Sequence, residues 1–182
     1  MNQKKVDQKW LRLAFSTANN LSQDTNSQTG AVIVNPLEDS LYSAGANRAH
    51  YGLKDRYEGT GNRVLFGRPE KYTDLTHAER DAIYVANRKG ISLVGGTIYA
   101  TWTPCKTCAE LILNNGIKRF VTHEATNKGY NEARKDAKGR NDWTAAIEEA
   151  VHLLKKGDIS YEVMNGPLEN VEFLFNDSIR TI

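Results

Sequence analysis

The chain reads as an α/β protein built on a mixed sheet with helices on both faces. Two observations carry that reading. Short apolar runs of strand length alternate with segments of helical period, in the order helix, hairpin, helix, strand, helix, strand, helix, strand. After the first hairpin every strand is separated from the next by a helix, and such crossovers favour parallel neighbours covered by helices.

The elements follow in order. Trp10, Leu11, Ala14, Phe15 and Ala18 recur at helical spacing, so residues from about 7 to 21 form an amphipathic helix. Ala31-Val32-Ile33-Val34, opened by Gly30 and stopped by Asn35-Pro36, is a buried strand. Residues 41–47 are its hairpin partner, with Glu38-Asp39-Ser40 in the turn. Residues 48–75 lack periodicity and read as a long insertion loop with a short helical piece; ordered loops of this length are commonly functional. Helical period resumes over 76–89 and stops at Gly90. Residues 96–101 are a strand, and Pro104 suits the first turn of the helix that carries Leu111, Ile112 and Leu113. Residues 119–122 are a strand, 127–140 a basic loop, and Trp143, Ala146, Ile147, Ala150, Val151 and Leu154 the apolar face of another helix, which places Trp143 in the core. Residues 159–164 are a strand, and 166–182 form a C-terminal hairpin or extension of a single 1–182 domain.

Composition narrows the function classes. The 182 residues are 40% hydrophobic and 25% charged, ordinary for a soluble globular domain. No apolar run approaches the roughly 18 residues a membrane helix needs, and no signal-peptide core follows the basic N-terminus. A net charge of +2 is too mild to argue for nucleic-acid binding. The only two cysteines stand three apart, which is no disulfide framework and suits a reducing, cytoplasmic setting.

Both cysteines fall in Thr103-Pro104-Cys105-Lys106-Thr107-Cys108, and upstream stands His77-Ala78-Glu79. Taken separately each has an ordinary reading. Thr76-x-x-Glu79 is a capping box, and C-x-x-C is a redox pair or two buried thiols. Together they form H-x-E followed by P-C-x-x-C, the signature of zinc-dependent nucleobase deaminases. Each motif lies at a strand-to-helix transition, so His77, Cys105 and Cys108 converge from two helix starts as three ligands, with a fourth position open to water. Glu79, two residues from a ligand, is the proton carrier. It takes a proton from the activated water and delivers it to the ring nitrogen and the leaving amine.

From about Trp10 to Met164 the chain resembles the cytidine/deoxycytidylate deaminase superfamily, and within it the deoxycytidylate (dCMP) deaminase family. The resemblance rests on Thr29-Gly30-Ala31-Val32-Ile33-Val34, Asn47, Arg68-Pro69-Glu70-Lys71-Tyr72, His77 to Ile83, Thr97-Ile98-Tyr99 and Thr103 to Ala109. It implies a three-layer cytidine deaminase-like fold with a central mixed five-stranded sheet, one catalytic zinc per chain, and conversion of dCMP to dUMP and ammonia. It also implies a homo-oligomer, hexamer or dimer, acting on a small-molecule nucleotide. Backbone at Ala78 and Thr103 would hold the base, and Asn47 the sugar hydroxyl. Trp102 and Tyr130 are candidate aromatic walls. Arg68 leads the candidates for a phosphate contact, with Arg48, Lys54, Arg56, Arg63 and Lys71 beside it. Family members often carry Asn where Asp81 stands, and Asp81 adds negative charge near a phosphate-bearing substrate. Arg48-Ala49-His50-Tyr51-Gly52 replaces the glycine-rich loop of regulated members, so control by dCTP and dTTP is not implied. The alternatives are a deaminase of tRNA adenosine or single-stranded DNA cytosine, and a non-catalytic module that binds zinc or nucleotide.

Overall fold

In a computed structural model of the chain, the described residues are 2–53, 65–67, 69–127, 143–175 and 177–182. Arg68, Tyr130, Lys54, Arg56, Arg63 and the basic loop 128–140 lie outside them.

The first helix, α1 (Gln3–Leu21), is capped by the Asn2 side chain, which accepts from the Lys4 N–H at 3.0 Å. It leads to the hairpin of β1 (Gly30–Asn35) and β2 (Ser40–Ala46). A two-residue strand β3 (Arg48–Ala49) follows, and pairs antiparallel with β4 (Leu75–Thr76), which comes after the one-turn helix α2 (Lys71–Asp74). Next come α3 (Ala78–Arg88), β5 (Thr97–Ala100), α4 (Lys106–Asn114), β6 (Arg119–His123), α5 (Thr144–Lys156) and β7 (Ser160–Met164). The C-terminal residues form an antiparallel hairpin of β8 (Glu172–Phe175) and β9 (Ser178–Thr181).

Five strands make the central sheet in the order β2-β1-β5-β6-β7. β1 runs antiparallel to both β2 and β5, whereas β5, β6 and β7 are mutually parallel. The sheet is therefore mixed, as the spacing of helices and strands predicts. Strand alternation divides the core into two layers. Ala31 and Ile33 of β1, Ile98 of β5 and Phe120 of β6 pack against Ala82, Ile83, Ile112, Ala150 and Leu154 of α3, α4 and α5. The intervening Val32, Val34, Tyr99 and Val121 face Trp10, Leu11, Ala14 and Phe15 of α1, together with Leu168 and Phe173. Each fully buried Leu, Ile or Phe in these layers contributes about 1.5–3 kcal/mol.

Two element boundaries differ from the sequence expectation, and both differences bear on the site. The helix over 76–89 begins at Ala78, because Leu75 and Thr76 are drawn into pairing with Arg48 and Ala49. Thr76 thus caps nothing, and the capping-box reading of Glu79 falls. Pro104 stands one residue before the α4 N-cap rather than in its first turn, since Cys105 occupies the cap.

Candidate active site

The N-termini of α3 and α4 meet at one edge of the sheet, beside the start of β1 and the ends of β2 and β5. The approach is close because glycine permits it. A Cβ on Gly45 of β2 would lie 2.6 Å from the Ala78 carbonyl oxygen and 2.8 Å from Ala82 Cα. His77 is the N-cap residue of α3 and Cys105 that of α4, each with extended backbone and neither making a side-chain capping bond. Cys108 stands three residues into α4 from the cap. The imidazole of His77 and the sulfur of Cys105 are thus free of helix capping and approach one another.

His77 Nδ1 lies 3.5 Å from Cys105 Sγ and 3.6 Å from Cys108 Sγ, and the sulfurs are 3.5 Å apart. A tetrahedral zinc with bonds of about 2.3 Å to sulfur and about 2.0–2.1 Å to nitrogen requires ligand separations near 3.6 Å (S···N) and 3.8 Å (S···S). The triangle already has the dimensions of a zinc site, within about 0.3 Å on each edge. It is also the only such cluster of three candidate ligands among the described residues.

The electrostatics agree with a cation. The sulfur–sulfur hydrogen bond with Cys108 pulls Cys105 down to about 3, with the His77 ring assisting, so this sulfur is a thiolate. That same bond, with burial, leaves the Cys108 thiol raised. Burial, the largest influence on His77, lowers it, but the bond to Cys105 and the Glu79 charge outweigh this and the net shift is upward. Three donors crowded at this distance, with one sulfur held low and a second raised by its neighbour and by burial, are a ligand set short of a positive charge.

Glu79 is 7% exposed, and its Oε2 accepts from Cys108 Sγ at 3.7 Å. Burial raises its carboxyl group above the ordinary value. It sits in the second position of α3, directly beside the ligand triangle.

Two corners of the triangle, His77 and Cys105, open onto a pocket, while Cys108 is buried behind them. His77, Ala78, Glu79 and Cys105 line it together with Asn47, Ala100, Thr101, Trp102 and Thr103. Of the residues expected around a substrate, the structure therefore brings Asn47, Ala78, Trp102 and Thr103 to this cavity. Asn47 is held at a junction of loops: its N–H donates to the Thr29 carbonyl at 3.1 Å, its carbonyl accepts from the Gln23 N–H at 2.7 Å, and its Oδ1 accepts from the Ala78 N–H at 3.0 Å. The Ala78 donor is thus already engaged by Asn47. Thr103 Oγ1 bonds to Asn127 Oδ1 and to the Tyr161 hydroxyl, both at 2.8 Å.

Sequence reasoning missed several features. Trp143, expected in the core, immediately precedes α5 and lines the pocket, with its ring 5.6 Å from that of His77 in edge-to-face geometry. Asp24 also lines the pocket and holds Lys71, a candidate phosphate contact, in a buried ion pair with Nζ 2.8 and 3.0 Å from its two carboxylate oxygens. Asp81, expected to add charge near the substrate, is instead buried against β2 and β3, where it accepts from the Ala46 N–H at 3.1 Å and from Arg48 Nε at 2.6 Å. Its charge is compensated, and Arg48 is committed to it. No helix of the described residues is long and apolar enough to cross a membrane.

Comparison with known proteins agrees with this geometry. The family described as "Cytidine and deoxycytidylate deaminase zinc-binding region" matches residues 4–124. The human deoxycytidylate deaminase is 34% identical over 115 residues, which are 62% of this chain and 61% of that protein. An uncharacterized deaminase of Aliivibrio fischeri is 33% identical over 121 residues, 65% of this chain and 75% of that protein. The chain thus spans about 61% of the length of the human relative. Among solved structures, dCMP deaminase from the cyanophage S-TIM5, in complex with dCMP and dUMP, superposes with a TM-score of 0.62. It has 17% identity, covering 88% of this chain and 97% of that one, a likeness of fold. With a matching region that runs from α1 through the whole ligand set to the end of β6, the chain belongs to the cytidine and deoxycytidylate deaminase family.

Proposed function

We propose that this protein hydrolytically deaminates a pyrimidine deoxynucleotide, dCMP to dUMP and ammonia. The observation that carries the reading is Glu79, a buried carboxyl group beside a zinc-sized His-Cys-Cys triangle, with Glu79, His77 and Cys105 all lining one pocket. The relatives named deoxycytidylate deaminase support the choice of nucleotide.

His77, Cys105 and Cys108 would hold one zinc, which when bound supplies Lewis-acid activation of water near neutral pH. Glu79 would carry two protons in turn: one accepted from the attacking water goes to the ring nitrogen, and a second, accepted from the hydroxyl group then on the base carbon, goes to the departing amine. Its burial favours the protonated intermediate state that this shuttling requires. Asn47, Ala78, Thr103 and Trp102 are the proposed substrate contacts within the described residues, and Arg68 and Tyr130 those outside them. Lys71 is at the pocket but is committed to Asp24. The proposal includes a homo-oligomer working in the cytoplasm.

The test is ammonia release by zinc-loaded protein from dCMP, deoxycytidine, dCTP, CMP and a short single-stranded DNA. Turnover of dCMP in preference to deoxycytidine supports the reading. Release from the DNA alone overturns it. Glu79→Gln should retain one zinc per chain and the wild-type melting temperature while losing about 10²–10⁴-fold in kcat.

A further inference from the structure

We infer that Trp143 is a specificity-determining residue, the aromatic wall against which the substrate's base is held at the metal. The inference rests on the deamination reading and extends it to a part of the chain that neither motif includes. Trp143 and Ile147, one turn apart at the start of α5, both line the pocket, whereas Ala150 and Leu154 further along the same helical stripe are fully buried in the core. The stripe leaves the interior at its first turn and becomes pocket wall. The indole lies edge-to-face on the His77 imidazole, 5.6 Å between ring centres at 68°. His77 is one of the three residues that would hold the metal, so the indole stands against a ligand of the reaction centre.

A base can react only if its amine-bearing carbon comes within about 3–3.5 Å of the activated water. In that position a planar ring is next to the indole, with Trp102 as a second aromatic surface in the same cavity. Stacking on an aromatic face is insensitive to the pattern of ring substituents but demands a flat π system. Trp143 therefore selects for a nucleobase as a class, and the polar contacts around Asn47 and Thr103 are left to distinguish one base from another. A merely structural role would make Trp143 a packing residue, replaceable by any apolar side chain of similar bulk.

Two variants separate these roles. Trp143→Leu keeps apolar volume without a π face, and Trp143→Phe keeps a π face. Zinc content, melting temperature, kcat and KM for dCMP would be measured for each, together with calorimetric binding of dUMP to zinc-loaded protein. Trp143→Leu should weaken dUMP binding and raise KM by about 5- to 150-fold, with one zinc per chain and a melting temperature near wild type. Trp143→Phe should recover most of the loss. Wild-type dUMP affinity in Trp143→Leu overturns the wall, as does loss of zinc in both variants, which would make the residue a support for His77. A wild-type protein that binds dUMP but releases no ammonia overturns the deamination reading alone. One that binds no dUMP overturns both.

Discussion

Replacing Lys71 with Met should destabilise the protein through Asp24, a residue 47 positions away in the chain. The two side chains are 9% and 5% exposed, so the substitution removes a cation from a carboxylate that water scarcely reaches. Breaking a buried pair by deleting one partner costs about 3–5 kcal/mol, mostly the cost of the charge left behind. Asp24 would keep part of its compensation, since Oδ1 also accepts from the N–H groups of Asn26 at 2.8 Å and Ser27 at 3.1 Å. The lower end, about 3 kcal/mol, is therefore expected, and Met fills the lysine's channel without a cavity. For a chain of this length that is about 6–12 °C in melting temperature. Urea unfolding of zinc-loaded protein reads the cost directly. Asp24→Asn combined with Lys71→Met leaves the turn's acceptor and removes both charges, so the double variant should recover about 1–3 kcal/mol relative to Lys71→Met. If Lys71→Met costs less than about 1 kcal/mol, the pair behaves as an exposed one. If the double variant is no more stable than Lys71→Met, the unpaired charge is not the cause. Either result refutes the argument.

Two further outcomes follow from packing and charge. Gly45→Ala should cost about 1–3 kcal/mol or more in urea unfolding and lower zinc affinity, because the added methyl meets backbone of the first turns of α3 rather than a movable side chain. An unchanged zinc affinity would mean that α3 can shift without moving His77. Burial, the largest influence on Asp7, raises it, but hydrogen bonds from Arg119, Gln3 and Tyr99 outweigh this and hold it below its ordinary value; the Arg119 bond lowers Glu162 likewise. Folded values below the unfolded ones mean stabilisation that is present above about pH 4–5 and lost as pH falls through the folded values. The melting temperature should therefore drop on acidification below about pH 4, and less steeply in an Asp7→Asn/Glu162→Gln variant, as calorimetry at a series of pH values would show.

The parts of this fold that were legible in the sequence are those written in local periodicity. The stripe from Trp10 to Ala18 and the unbroken apolar run of β1 mark residues to be buried, and they lie buried as expected. The ligand set was legible for a different reason: three candidate zinc donors and a carboxylate at fixed spacing leave few other chemical readings. Trp143 was misplaced because periodicity tells only that a face is covered, not whether protein or a cavity covers it. The capping box of Thr76-x-x-Glu79, already outweighed by the joint motif, is absent because Thr76 pairs with β3, a contact 28 residues distant. The Asp24–Lys71 pair and the Tyr161–Thr103 hydrogen bond join positions 47 and 58 apart, and no local pattern encodes either. Asp81 looked like a charge near substrate until Arg48 and the Ala46 amide were found to absorb it.

The division of the ligands between two helices has a thermodynamic consequence. Cys105 and Cys108 are neighbours in any conformation of the chain, whereas His77 joins them only when α3 and α4 are docked. An unfolded chain still offers the dithiol pair, so it competes for the ion, and the folded state's advantage is what the imidazole and the closed geometry add. Each tenfold preference of the folded form for zinc is worth about 1.4 kcal/mol at saturating ion. The ion thereby acts as a rivet between two elements that the chain itself connects only through β5. Zinc supply then sets not merely whether the catalyst is loaded but what fraction of the chains is folded, and the melting temperature should climb with free zinc for as long as the dithiol alone remains the weaker chelator.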